Sequence, residues 1–416
     1  MAGTLAAAPF GSLALAGDAE AGNEQSPGPQ SAMTPEPAQP SSEATLVPAA
    51  FADLPHWLQD DHLAALRTFL RSCTELAKAE DAAPQDARVA ALASACRAAD
   101  DLKRPGRAAA RTFFEQHFVP YRVAQKEGTG FLTGYYEPVL NGSRTPQGRF
   151  QTPLYRRPPD LVNLMAETER AAASAGGKLT HMRKTEAGLE PFPTRAEIER
   201  GALKGHGLEL IYLEDPVDAF FMQVQGSGRI KLRDGGTVRL NYDGKNGYPY
   251  TSIGRYIVDK GFFTAEEITL QRLRAFLRAD PQRAREVMWQ NQSFVFFREL
   301  DPAVAAEGPL GAQSVPLTPG RSLAVDTVFH ALGTPVYVTS PSLKLGGGED
   351  GFHRLMIAQD VGSAIKGPQR GDIYYGSGDK AGRLAGTTKH EGSFFVLLPA
   401  SLDSSAWQGK AATRKR

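Results

Sequence analysis

The stretch 358-AQDVGSAIKGPQRGDIYYGSGDKAG-382 sets an apolar run ending at Asp360 against a second run opened by Asp372, with Asp379 in a glycine-rich segment beyond. The runs 355-LMIA-358 and 373-IYY-375 predict two short strands joined by the loop 366-KGPQRG-371, whose Gly and Pro residues are turn formers. Strands of one barrel bring such end residues to a common rim. The spacing therefore predicts Asp360 and Asp372 as neighbours, and 376-GSGDKAG-382 predicts a turn that folds Asp379 back beside them.

Working outward, 310-LGAQSVPLTPGRSLAVD-326, 334-TPVYVTS-340 and 393-SFFVLLP-399 predict further short strands at barrel-like intervals. Residues 208–244 predict several more, with 234-DGG-236 as a hairpin turn, and residues 160–190 read as more helical and polar. Upstream, 60-DDHLAALRTFLRSCTELA-77, 86-DARVAALASACRAADDL-102 and 105-PGRAAARTFFEQHF-118 predict three helices forming a layer packed on something else. The fold class expected is mainly β with an N-terminal helical layer.

The ends differ in character from this body. Residues 18–48 are Pro, Ser, Ala, Gly, Glu and Gln with almost nothing to bury, which predicts a disordered tail over 1–48. Within it, 4-TLAAAPFGSLALAG-17 has the character of an export signal's apolar region and 14-ALA-16 that of a cleavage site, but no Lys or Arg precedes them. An export signal and a plain Ala/Gly tail both remain open. Residues 403–416, ending in 410-KAATRKR-416, predict a flexible basic tail.

Composition narrows the function classes. The 416-residue chain carries 47 Lys and Arg against 46 Asp and Glu, a net charge of +1, so no overall field draws it to nucleic acid. No run of about 18 apolar residues is present to span a bilayer. The 2 cysteines, Cys73 and Cys96, cannot make a four-Cys zinc site; they lie in helical sequence, where a disulfide and two buried thiols are both open. The aspartates lack the dense acid pattern of a calcium loop, and neither metal nor cofactor is expected.

Sugar chemistry suits what accompanies the acids. Tyr135, Tyr136, Tyr248 and Tyr250 offer flat faces with a hydroxyl, and Gln223, Gln225, Ser227, Lys245 and Asn246 offer donors and acceptors for sugar hydroxyls and acetamides. A single carboxylic acid cleaves a glycosidic bond if the sugar supplies its own nucleophile; a hydrolase needs a second carboxylate, for which Glu137 or Glu214 are the candidates. A third reading is a polysaccharide-binding module without catalysis.

Six segments in order, 131-FLTGYYEPVL-140, 223-QVQGSGRI-230, 242-YDGKNGYPYTSIG-254, 293-SFVFF-297, 312-AQSVPLTPGRSLAVD-326 and 359-QDVGSAIKGPQRGDIYYGSGDKAG-382, resemble the membrane-bound lytic murein transglycosylase A family, the last resembling its three-aspartate module. The resemblance implies a double-psi β-barrel built from residues 49–137 and 294–402, with a second β-rich domain, 138–293, inserted between them and a glycan groove where the two meet. It implies cleavage of the β-1,4 bond between N-acetylmuramic acid and N-acetylglucosamine of peptidoglycan without water, leaving a 1,6-anhydromuramoyl end. It also implies Asp372 as the acid and then the base, Asp360 as its supporting carboxylate, and Thr133, Tyr136, Gln225, Ser227, Lys245, Asn246, Tyr250 and Asp379 along the groove. Wall-synthesis or division proteins are the implied partners, and the periplasm, in association with the outer membrane, the implied place. The N-terminus departs from the family's lipoproteins in having no basic start and no Cys to carry a lipid.

Overall fold

The computed structural model describes residues 44–83, 85–126, 128–164, 178–345 and 350–407; the expected tails therefore lie outside the described residues up to 43 and from 408 onward. Inside those limits both ends are tied down. Ala44–Pro48 is a strand (β1), and Trp407, 3% exposed, packs on Phe329 at 5.7 Å.

Three helices follow: α1 (His62–Ala82), α2 (Ala87–Asp100) and α3 (Arg107–His117). Asp61 and Asp86 cap the first two by accepting from the backbone N–H groups of Ala64 and Arg88. Ala65, Leu66, Phe69 and Leu76 form the buried face of α1, as the 3.6-residue period requires. Cys73 and Cys96 are joined as a disulfide between α1 and α2, their Cα atoms 5.4 Å apart. With a sequence separation of 23, the cross-link removes unfolded-chain entropy worth about 3 kcal/mol. The double variant Cys73→Ser/Cys96→Ser is accordingly expected to melt several degrees lower, and dithiothreitol to lower the melting temperature of the native chain but not of the variant.

The helices pack on an eight-stranded sheet made of β1, β2 (Phe118–Gln125), β3 (Gly130–Glu137), β13 (Ser322–Ala324), β14 (Pro335–Ser340), β15 (Phe352–Asp360), β16 (Arg370–Ser377) and β17 (Lys389–Pro399). Because β3 pairs with β16 on one side and β17 on the other, the strands β3, β16, β13, β15, β14 and β17 close into a ring of six. Strand alternation sorts the two faces. Met356 and Ala358 of β15 join Leu132, Leu323, Val336, Ile373 and Phe394 inside the ring, while Leu355 and Ile357 point out to α1 and α3.

Between β3 and β13 the chain builds a second sheet: β4 (Val139–Ser143), β5 (Thr152–Tyr155), β9 (Glu209–Leu213), β10 (Ser227–Leu232), β11 (Thr237–Lys245) and β12 (Val295–Glu299), in the order β12-β11-β10-β4-β9-β5. The strand β12, which lies within the segment 294–402 expected to build the barrel, pairs instead with β11 of this second sheet. The helices of the insert include Pro216–Gln225, Ile253–Asp259, Leu270–Arg278 and Pro281–Met288. Within 160–190 the described residues form not helix but a ribbon of three short strands, β6 (Leu161–Asn163), β7 (His181–Thr185) and β8 (Gly188–Glu190); the expectation for 165–177 lies outside the described residues. Polar residues here ride on a partly exposed ribbon that buries His181, and polarity alone does not separate that from a solvated helix. The architecture is therefore mixed α/β with β-rich sheets, and "mainly β" understates the helices.

Glu137, the last residue of β3, is fully buried where the ring meets the insert. Its carboxylate accepts from Arg239 of β11 at 2.6 and 3.1 Å and from Ser377 of β16 at 2.5 Å.

Candidate active site

Ala324 of β13 is the register partner of Asp372 on one side and of Asp360 on the other. The two carboxylates therefore sit level, separated by a strand whose residue between them has only a methyl side chain. Flanking Asp372, Gly371 and Ile373 are buried, so the Asp372 side chain is turned to the other face of β16.

On the opposite side β3 runs parallel to β16 with Thr133 beside Asp372. Thr133 Oγ1 donates to Asp372 Oδ1 at 2.6 Å. Tyr135, two residues on and on the same face, donates its hydroxyl to Asp360 Oδ2 at 2.8 Å, and its ring lies 5.3 Å from that of Tyr374. Asp360 Oδ1 accepts from the backbone N–H groups of Ala312 and Val361, each at 2.9 Å. A fourth residue, Arg370, donates from Nη2 to Thr133 Oγ1 at 2.9 Å. It was not singled out in the sequence, although its position two residues before Asp372 on one strand gives it the same face.

Burial raises both carboxyls above the usual range. Asp360 is pushed up to about 6, against the pull of the Tyr135 hydroxyl and the Val361 and Ala312 N–H groups, with the Asp372 charge adding to the rise. Asp372 is raised by burial and held back by the Arg370 guanidinium and the Thr133 hydroxyl. Through the Asp372 charge the two titrations influence each other. Three donors aimed at Asp360, the Tyr135 hydroxyl and the Ala312 and Val361 N–H groups, suit its charged, acceptor-only form. Burial and Asp360 keep the Tyr135 hydroxyl protonated as a donor.

Other residues anticipated for the site are placed differently. Asp379 is exposed in the first turn of the helix Gly378–Thr387, where its charge complements the helix dipole; the segment expected as a turn is a helix start. Tyr136 is 4% exposed. Its ring lies so close under Gly382 that an added Cβ would sit 2.8 Å from it, and its N–H donates to Gln225 Oε1 at 3.0 Å. Asn246 is fully buried, donating to Pro193 O and Gln292 O and accepting from Phe294 N. Ser227 and Lys245 are buried at the start of β10 and the end of β11, and Tyr250 is half-buried nearby in sequence. Glu137 is held in the ion pair described above, and Glu214 pairs with Arg149 at 3.1 Å. Among the described residues no group of three or more His, Cys, Asp or Glu is placed to hold a metal ion.

Residues 131–298 match the model of the MltA specific insert domain and residues 321–398 that of the 3D domain. The sequence is 37% identical over 290 residues to membrane-bound lytic murein transglycosylase A of Escherichia coli K12, covering 69% of this chain and 70% of that protein. The fold is similar to that of a membrane-bound lytic murein transglycosylase from Agrobacterium tumefaciens, with TM-score 0.75, 36% identity and coverage of 85% of this chain and 98% of the other. It is also similar to E. coli MltA with bound chitohexaose, with TM-score 0.59, 30% identity and coverage of 87% and 93%.

Proposed function

The chain belongs to the MltA family of lytic murein transglycosylases with a C-terminal 3D domain, and from that premise we propose that it cleaves peptidoglycan by single-acid transglycosylation at Asp372. Asp372 gives its proton to the glycosidic oxygen as the bond to the muramoyl C1 breaks. The resulting carboxylate takes the proton of the muramoyl 6-hydroxyl, whose oxygen bonds to C1. Water is not consumed, the acid is restored, and the products are a free N-acetylglucosamine 4-hydroxyl and a 1,6-anhydromuramoyl end.

The observation that carries this reading is the pairing of Asp372 with a donor-saturated Asp360. Such a neighbour keeps the first acid protonated, and its own oxygens are occupied. The two-carboxylate hydrolase is disfavoured because Glu137 is sealed against Arg239 and Ser377. The six-strand ring is read as a double-psi β-barrel, with the glycan lying between its rim and the insert. Thr133, Gln225, Ser227, Lys245 and Tyr250 are assigned to that side, whereas Tyr136 and Asn246 support it from below. The chitohexaose held by the E. coli relative, a sugar oligomer, supports a glycan as ligand here. The Cys73–Cys96 disulfide favours an oxidising compartment such as the periplasm. Contacts with wall-synthesis or division proteins and association with the outer membrane belong to the same proposal.

Mass spectrometry of digested peptidoglycan tests it. Products one water lighter than muramidase fragments are expected; reducing-end products would install the hydrolase, and binding without release would leave only a wall-binding module.

A further inference from the structure

We propose that Arg370 is a positioning residue that acts through Thr133 to fix which oxygen of Asp372 carries the transferable proton. The inference rests on the reading of Asp372 as the acid.

A threonine hydroxyl has one hydrogen to give, and a guanidinium has none to take. Since Arg370 Nη2 approaches Thr133 Oγ1 at 2.9 Å, that oxygen accepts from Arg370. The hydroxyl hydrogen is then directed to Asp372 Oδ1, 2.6 Å away. A hydroxyl polarised by a cation is the stronger donor, and its target oxygen is best left unprotonated. Oδ1 is thereby the permanent acceptor, and the proton resides on Oδ2, which takes no hydrogen bond among the described residues.

Arg370 is itself well held. Its Nη1 donates to Gly371 O at 2.6 Å, and its guanidinium lies over the Phe131 ring at 5.3 Å. The strand register fixes the rest: Arg370 pairs with Phe131 and Asp372 with Thr133, so the chain Arg370, Thr133, Asp372 crosses between two parallel strands with no loop involved. Without this chain the proton would exchange between Oδ1 and Oδ2, and part of the population would carry it on the oxygen that faces Thr133.

Kinetics of purified Arg370→Gln, Thr133→Val and Thr133→Ser on isolated peptidoglycan, followed from pH 4 to 9, test the proposal. Thr133→Val is expected to lose about 10²-fold in kcat, in the range for misdirected acid–base catalysis, and Thr133→Ser to recover most of it. Arg370→Gln is expected to lose about tenfold or more. Its alkaline limb should move to higher pH, because removing the cation raises Asp372 further. The double variant Arg370→Gln/Thr133→Val should have a kcat no lower than Thr133→Val alone, as for two members of one chain. A uniform loss at every pH, or losses that multiply, would overturn the role. If Arg370→Gln does not fold, the Val and Ser variants decide it through the hydroxyl. Asp372→Asn separates the two levels: an active Asp372→Asn sinks the acid assignment itself, while an inactive one with unshifted Arg370 profiles sinks only this inference.

Discussion

Asp372→Asn is expected to abolish release of anhydro products, with kcat falling by at least about 10³-fold, while the melting temperature holds. One group is asked to be acid in the first half of the reaction and base in the second, so its loss removes both contributions, each typically worth about 10²–10⁴-fold. An amide keeps the shape and can still accept from Thr133 at the position of Oδ1, so the hydrogen bond at 2.6 Å has a successor. Stability carries its own sign. A carboxyl raised by burial adds stability below the ordinary carboxylate range and loses it as pH rises through the raised value. The neutral variant should therefore melt no lower than the native chain at pH 8, and activity in the native chain should decline on the alkaline side as Asp372 loses its proton at a pH above the ordinary carboxylate range. Differential scanning fluorimetry and a pH–rate profile measure the two separately. An inactive variant that is also unfolded would show nothing about chemistry; a folded, active one would move the acid elsewhere.

The strands carrying the acids were legible because their signals are local. An apolar run ending in Asp360 and another opening at Asp372 need only the strand period and the turn residues between, and β15 and β16 bear these out. The segment after Ser377 was not legible in that way. Its glycines read as a turn, yet Gly382 serves a helix by leaving room for the Tyr136 ring, a contact set by β3 from far along the chain. The surroundings of Asn246 were hidden for a similar reason: the carbonyls it satisfies lie 53 and 46 residues away. A buried amide and a sugar-binding amide look alike until their partners are known. Arg370 is the converse case, since a face-by-face reading of 370-RGD-372 places it beside the acid, and a search confined to carboxylates passes over it.

The largest effect on stability is expected far from the chemistry, at Asp60. This residue, just before α1, accepts from Arg321 Nη2 at 2.6 Å and Nη1 at 2.9 Å, and from the backbone N–H of Leu355 in β15 at 2.7 Å. Both charged side chains are nearly sealed, at 3% and 8% exposure. Asp60→Ala leaves a buried guanidinium without its carboxylate, with Leu355 O as its remaining acceptor, and the Leu355 N–H without an acceptor, which costs about 3–5 kcal/mol, or about 5 °C in Tm for a chain of this size. Most of that cost is the stranded charge and not the lost attraction, so the double variant Asp60→Ala/Arg321→Met should melt well above Asp60→Ala. Thermal melts of the two variants distinguish these contributions: equal melting points would mean that the pair stabilises by its geometry and not merely by mutual neutralisation. Arg321 also donates to Leu355 O, and its own carbonyl receives the Ile357 N–H, so the pair clamps β15 only a few residues before Asp360. Loosening it should therefore lower kcat as well as Tm, with the double variant restoring both in part, since the position of Asp360 beside Asp372 depends on how firmly the helical layer holds β15, the strand that carries Asp360.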